Sequence, residues 1–217
     1  MRQNMKNKKI FSCNSDIKKN AYISWCMKKN DSIHNMECFA NAYAKATKEL
    51  LEIVLSDNSD KKADTLIFCI LYTFNHCIEL YEKSILLQVH SLLNKPYEIE
   101  ISHDIKKIYN NMIATVIERE NGKELQQELE KHFRDLTNYI DELYPLIEDG
   151  NKLLIDFSRY PIKSNGDPQF YVTDAVIIID LENLKVRVEN IINLLNSLLQ
   201  KYRAEYEEEY NYSSFDF

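Results

Sequence analysis

The sequence predicts an all-α protein, a bundle built around long central helices, and three observations support that class. Only 3 Gly and 4 Pro occur in 217 residues, whereas β-sandwiches and doubly wound folds need many tight turns. Apolar residues recur at three- and four-residue steps over most of the chain. The hydrophobic fraction of 45% and the charged fraction of 28% are typical of a folded globular protein.

A chain of this length fits one domain and can bury a core without a disulfide or a metal. We expect a flexible N-terminus over residues 1–12, a single helical domain over residues 13–204 and an acidic C-terminal tail over residues 205–217. Within 16–29 the apolar spacing is poor, so we expect at most a short helix there.

Two long helices are predicted in the first half of the chain. The first begins at a cap formed by Asp31 or Ser32 and ends at the polar residues 57–59. The second begins at Asp64 and runs to about Leu93, because the residue before a proline, here Pro96, avoids the α region. Ionisable side chains interrupt this apolar second helix, which indicates a buried bundle helix and not a membrane span.

The second half of the chain predicts two more helices, a long loop and a last helix. Ser102 is the predicted cap of a helix with a single apolar stripe, and residues 125–147 form the next stripe. Periodicity is lost over 150–174, which predicts one long irregular loop of the kind that often carries function. The apolar run 175–181 fits a strand or the start of the last helix, whose apolar positions span 184–202.

Charge and cysteine content exclude several classes of protein. The net charge of -7 argues against a basic nucleic-acid-binding surface, although a local basic pocket could still hold one phosphate. The five cysteines show no C-x-x-C spacing and no secretory leader is visible, so we expect reduced thiols, a cytoplasmic location and no disulfide. We expect no metal, no cofactor, no membrane association and no DNA-specific recognition.

Three separated clusters carry the polar side chains that chemistry requires. The first lies in the central helix, where steps of three and four residues put its members on one face. The second lies at a helix start, and the third lies in the long loop. In chain order the singled-out residues are Asn75, His76, Glu79 and Lys83, then His103 and Asp104, then Arg159 and Tyr160.

These clusters resemble three segments of the HEPN-like helical family, in particular its abortive-infection and uncharacterised branches. The run from Asn75 to Lys83 resembles the family's arginine-His-x-x-Glu-Leu-x-x-Lys helix. Ser102-His-Asp-Ile is similar to its small-residue-His-Asp-leucine helix start. Phe157-Ser-Arg-Tyr-Pro resembles its Phe-Arg-Tyr-Pro segment, which a glycine turn follows, here at Gly166. The three matches span residues 75–166.

The resemblance implies a helical bundle that dimerises or joins a larger protein complex, in a prokaryotic defence or toxin-type system directed at RNA. Active members of the family are metal-independent RNases with an arginine followed four to six residues later by a histidine. In that chemistry the cation steadies the phosphate while the imidazole moves a proton for attack by the 2′-hydroxyl.

This sequence lacks the family's classical RNase motif. No arginine has a histidine at the required spacing, and Asn75 stands where an arginine is expected before His76. A composite site is the alternative, with His76, His103 and Arg159 as candidate catalytic residues. The remaining singled-out side chains are then candidate binding residues, and Lys83 is expected to hold phosphate together with Arg159.

Two further interpretations stay open. In the first, which we favour from sequence, Glu79 pairs with Lys83 or Arg159 and the histidines bind loop backbone, so the chain is a non-catalytic interaction module. In the second, His76, the His103-Asp104 pair and Asp156 form a metal-dependent phosphohydrolase site. Short motifs of this second kind often arise by chance.

Overall fold

The computed structural model describes residues 9–96, 101–120, 131–149, 152–153, 155–163, 165–173 and 176–213. Helices provide almost all of the regular structure in these ranges, which confirms the all-α prediction. Their bounds are α1 Ser32–Ser56, α2 Ala63–Leu92, α3 Ile105–Arg119, α4 Arg134–Ile147, α5 Phe170–Thr173 and α6 Leu181–Ser213. A two-residue antiparallel pair, β1 Glu148–Asp149 with β2 Lys152–Leu153, follows α4.

Helix α1 begins at the first of the two predicted caps. The Asp31 carboxylate accepts a hydrogen bond from the backbone N–H of His34 at 2.8 Å, which satisfies one of the free donors of the first turn. Ala40, Ala44 and Leu51 lie on its buried face, at the spacing that packs one side of a helix against a neighbour.

Helix α2 is the centre of the bundle, as its apolar composition predicts. It packs against α1, α3 and α6, and every residue from Tyr81 to Val89 is buried. A helix surrounded on all sides has no solvent face on which to place polar groups. An ionisable side chain in this buried stretch must therefore find a partner inside the protein or give up its charge.

Helix α3 corrects one prediction about its cap. Asp104, and not Ser102, is the N-cap residue, and its carboxylate accepts a hydrogen bond from the backbone N–H of Lys107 at 3.1 Å. The Ser102 hydroxyl accepts from the backbone N–H of Asp104 at 3.1 Å, one step outside the helix. Both residue types suit a cap, so the spacing alone did not separate them.

Helices α4 and α6 complete the bundle. The first part of the stripe predicted over 125–147 lies outside the described residues, and α4 covers the rest of it. The run 176–180 belongs to neither a strand nor a helix, and α6 begins after it. Helix α6 continues into the segment predicted as an acidic tail, where Glu205 and Glu209 pair with Arg119 of α3.

The segment before α1 contains little regular structure. The only helical turn within the described part of 9–31 is a 3-10 helix at Ile17–Lys19, where a short helix was expected over 16–29. Residues 1–8 of the predicted flexible N-terminus lie outside the described residues. The segment is attached to α1 through Asn35, whose side chain pairs with both backbone groups of Lys28 at 2.8 and 2.9 Å.

The predicted irregular loop over 150–174 contains short elements held to α2. A 3-10 helix at Ile155–Ser158 buries Phe157, and Gly166 turns the chain with φ +91°, a conformation that favours glycine. The Tyr171 hydroxyl lies 2.9 Å from the carbonyl of Phe157 and 3.2 Å from that of Tyr160. These contacts fix the part of the loop that carries Arg159.

A membrane-spanning helix needs about 20 consecutive apolar residues. Within the described ranges, none of the helices combines that length with sufficient apolarity.

Candidate active site

The bundle brings the first two sequence clusters together around one carboxylate, that of Glu79 on α2. Its Oε1 atom lies 2.8 Å from Nζ of Lys83 and 2.9 Å from Nδ1 of His103, which precedes α3. Its Oε2 atom lies 3.5 Å from Nδ1 of His76, one turn earlier on α2. We call these four residues the Glu79 cluster.

Glu79 is ionised despite its burial. Only 2% of its side chain is exposed, and burial by itself raises the pKa of a carboxyl group. The nearby Nδ1 of His76, the ammonium of Lys83 and the Nδ1 of His103 together outweigh burial and bring the pKa of Glu79 down to about 2. Glu79 therefore carries a negative charge, and the side chains of Lys83, His76 and His103 lie around it.

His103 is the member of the Glu79 cluster that faces solvent, with 68% of its side chain exposed. An ionised carboxylate only accepts hydrogen bonds, so Nδ1 of His103 carries the hydrogen in this contact. In the neutral ring Nε2 is then the unprotonated nitrogen. A carboxylate that fixes the tautomer in this way prepares an imidazole to take up a proton at Nε2.

His76 is enclosed by aromatic rings that sequence reasoning did not single out. The Tyr43 ring meets it edge-on with centroids 4.6 Å apart, and the Tyr72 ring is parallel to it with centroids 6.0 Å apart. Its side chain keeps 25% exposure. Tyr72 lies four residues before His76 on α2, a spacing that could have identified it.

The third sequence cluster lies one aromatic ring away from the Glu79 cluster. The guanidinium carbon of Arg159 lies 5.8 Å from the Tyr72 ring centroid and 5.1 Å from that of Tyr160. Arg159 also donates to the Tyr160 hydroxyl at 3.4 Å, and both side chains are exposed. Tyr72 thus contacts both the His76 ring and the Arg159 guanidinium, which places the third segment beside the first two.

Two of the singled-out residues have other contacts. The fully buried Asn75 accepts a hydrogen bond from the Tyr139 hydroxyl of α4 at 2.6 Å, a contact that joins two helices. The carboxylate of Asp104 caps α3. Lys83, which was expected to hold phosphate, is 8% exposed and bonded to Glu79, so it compensates the carboxylate and is not presented to a ligand.

A second glutamate, Glu82, was missed by sequence reasoning as a residue of interest. It is fully buried, and neither carboxyl oxygen has a hydrogen-bond partner among the residues that the structure describes. Burial raises the pKa of Glu82 well above its ordinary value, and the charge on Glu79 raises it further, while Lys83 acts in the opposite direction. Burial and the neighbouring charge therefore favour the neutral, protonated form of Glu82, whereas Glu79 is ionised.

The phosphohydrolase hypothesis requires His76, His103, Asp104 and Asp156 to lie around a shared metal ion. In the described part of the chain, no three or more His, Cys, Asp or Glu side chains are arranged to hold a metal ion. Asp104 is occupied as a cap, and the side chain of Asp156 lies outside the described residues.

Comparison with protein-family models, with curated proteins and with solved structures gave no match to this chain.

Proposed function

We propose that this chain is a HEPN-like helical protein of a prokaryotic defence or toxin-type system, and that the Glu79 cluster is a composite, metal-independent site acting on RNA. One observation carries the proposal. A buried, ionised carboxylate contacts two imidazoles through their Nδ1 atoms, and one of those imidazoles, His103, is open to solvent. Two oriented imidazoles are sufficient for general acid–base catalysis at a phosphodiester.

The reaction that fits this arrangement is transesterification of RNA. Nε2 of His103 takes the proton of the 2′-hydroxyl, and the 2′-oxygen bonds to phosphorus while the bond from phosphorus to the 5′-oxygen breaks. His76, in its protonated form, gives a proton to the leaving 5′-oxygen. The products are a 2′,3′-cyclic phosphate and a 5′-hydroxyl, and no metal takes part.

Two cations have separate roles in this proposal. The exposed guanidinium of Arg159 binds the phosphate, for which its planar fork of donors is suited. Lys83 contacts Glu79, and neither of the two touches substrate. Lys83 and Glu79 are therefore positioning residues. Asn75 replaces the family's arginine, and Arg159 supplies the cation from a different segment.

The test is cleavage of total RNA and tRNA by the purified chain in EDTA. We expect cleavage that leaves 2′,3′-cyclic ends, and we expect His103→Ala to lower the rate by about 10²- to 10⁴-fold. His132→Ala is the matched control, because His132 is an exposed histidine outside the cluster and its loss leaves the rate unchanged. Full activity in His103→Ala, or no cleavage by the unaltered chain, would contradict the proposal.

A non-catalytic role in protein association is the second candidate. It is favoured by exposed large apolar side chains before α1, among them Phe11, Ile23 and Trp25 at 80–88% exposure. On that hypothesis the Glu79 cluster only specifies the fold. The chain then gives no RNA cleavage and has the mass of a dimer or a larger complex in light scattering.

A further inference from the structure

Residues 9–29, which we call the N-terminal arm, expose apolar side chains that a packed protein would bury. Exposure is 88% for Phe11, 80% for Ile23 and 86% for Trp25, and it is 93% for Ile10 and 70% for Ile17. Scattered single apolar residues on a surface are ordinary, but a whole segment of them marks an interaction surface. The arm therefore contains an apolar surface that no other described part of the chain covers.

Charge is strongly separated between this arm and the rest of the chain. The arm, residues 9–29, holds five Lys against one acidic residue, whereas residues 30–217 hold 19 Lys and Arg against 33 Asp and Glu. The arm is thus basic on a protein whose body is acidic. An anionic membrane or an RNA would attract the arm and repel the body, whereas an acidic protein surface suits the arm and is available on the body itself.

The body contains an apolar groove of about 470 Å³ between α2, α4 and α6. Phe68, Leu71, Leu146 and Tyr171 are among its lining residues, and Glu142 and Asp180 also line it. A groove of this size and lining accepts large apolar side chains. Glu142 is paired at 2.8 Å with Arg187, which also lines the groove, and the Asp180 carboxylate accepts backbone hydrogen bonds at the start of α6. The attraction for the basic arm therefore comes from the acidic body as a whole.

The arm and the groove of one chain lie at opposite ends of α2. Asn30, which follows the arm, lines a polar pocket together with Gln88, near the C-terminal end of α2, whereas the groove contains Phe68 near its start. Twenty residues of helix separate Phe68 from Gln88, about 30 Å. The arm is attached to α1 at Lys28 and its apolar side chains stay exposed, so it does not fill its own groove.

We propose that the arm docks into the apolar groove of a second copy of this chain. Two copies related by a two-fold axis exchange arms, and each contributes one arm and one groove to a closed, self-complementary contact. The apolar arm residues supply burial, and the charge difference between arm and body fixes the orientation. This inference is independent of the RNA cleavage proposed above.

Trp25 makes the inference directly measurable, because it is the one tryptophan of the chain and lies in the arm. Light scattering and Trp25 fluorescence are recorded together over a dilution series of the full chain. We expect a dimer whose tryptophan emission moves to shorter wavelength as the concentration rises through the dissociation constant. We also expect that added salt weakens the association.

Leu146→Lys places a charge in the groove, where Leu146 is 42% exposed. It is expected to weaken dimerisation at least tenfold and to leave Trp25 at its long-wavelength emission. Ile53→Lys is the matched control, since Ile53 is 49% exposed on α1 outside the groove, and it behaves as the unaltered chain does. Lys18→Glu combined with Lys19→Glu changes only exposed arm residues and weakens the dimer without a folding defect.

Three results would overturn the inference. The first is a monomer at every concentration with constant emission. The second is short-wavelength emission that does not depend on concentration, which places the arm on its own chain. The third is a dimer whose stability none of the groove and arm variants changes, which places the interface elsewhere.

Discussion

Glu79 and Glu82 lie three residues apart on the same helix, both buried, and their surroundings give them opposite charge states. Glu79 is hydrogen-bonded to Lys83 and His103 and lies close to Nδ1 of His76, and these neighbours bring its pKa down to about 2. Glu82 has no hydrogen-bond partner in the described part of the chain, and burial raises its pKa well above the ordinary value. Both carboxyl groups are buried, so the difference in their pKa comes from the side chains around each of them.

This comparison separates two roles that a sequence presents alike. A charged, partnered glutamate can orient imidazoles and is costly to remove. A neutral glutamate without a hydrogen-bond partner has little effect on its neighbours, and its ionisation lowers the stability of the fold. Three substitutions measure the difference, and they follow from the largest expected effect to the smallest.

Glu79→Gln is expected to have the largest effect. It leaves Lys83 buried without a counter-charge, which lowers the free energy of unfolding by roughly 3–5 kcal/mol at pH 7, measured by urea denaturation. The change in the free energy of unfolding at acid pH gives a second measurement. Because the pKa of Glu79 is lowered, its stabilisation is full above the ordinary value of 4.5 and is lost as the pH falls towards about 2.

The unaltered chain should therefore lose stability over that acid window more steeply than Glu79→Gln does. An equal slope in the two proteins would show that Glu79 has no lowered pKa. Retained stability in Glu79→Gln at pH 7 would remove the contrast between the two glutamates altogether.

Glu82→Gln is expected to have the opposite sign and an intermediate size. The pKa of Glu82 is higher in the folded chain than in the unfolded chain, so ionisation increasingly favours unfolding as the pH rises above 4.5. Replacing the acid by a neutral amide removes this cost and raises the free energy of unfolding by roughly 1–3 kcal/mol at pH 8. The gain should be smaller at pH 5. A loss of stability that is independent of pH would mean that Glu82 is ionised and paired.

Glu49→Gln gives the smallest effect and sets the baseline. Glu49 is 65% exposed on α1 and lies 3.7 Å from Lys45, which is 77% exposed. Ion pairs of this kind contribute little, so the free energy of unfolding should change by less than about 0.5 kcal/mol at either pH. A change as large as that of the buried variants would indicate a general charge effect and not the local surroundings.

The helices could be predicted from sequence because their apolar stripes are a local property. The run from Asp64 to Leu93 was predicted almost residue for residue, since both its composition and Pro96 are visible in the chain. The predicted N-cap of α3 was wrong because Ser102 and Asp104 are both residue types that suit that position. The run 176–180 stayed ambiguous because short apolar segments fit either class.

The site was predictable where its members share a helix and not where packing creates the contact. The pair of Glu79 and Lys83 follows from four-residue spacing. The contact between Glu79 and His103 depends on how α3 packs on α2, and the spacing of residues in the sequence does not predict that packing. The neutral state of Glu82 depends on burial from several sides, which is a property of the whole bundle.

The hydroxyl of Tyr171 holds the carbonyls of Phe157 and Tyr160, one on each side of Arg159 in the chain. The same ring lines the apolar groove, so it is shared between that groove and the segment that carries the guanidinium. A ligand that displaces the ring breaks both hydrogen bonds. If that loss moves Arg159, thermodynamic linkage requires that an anion held by Arg159 changes the groove's affinity by the same factor.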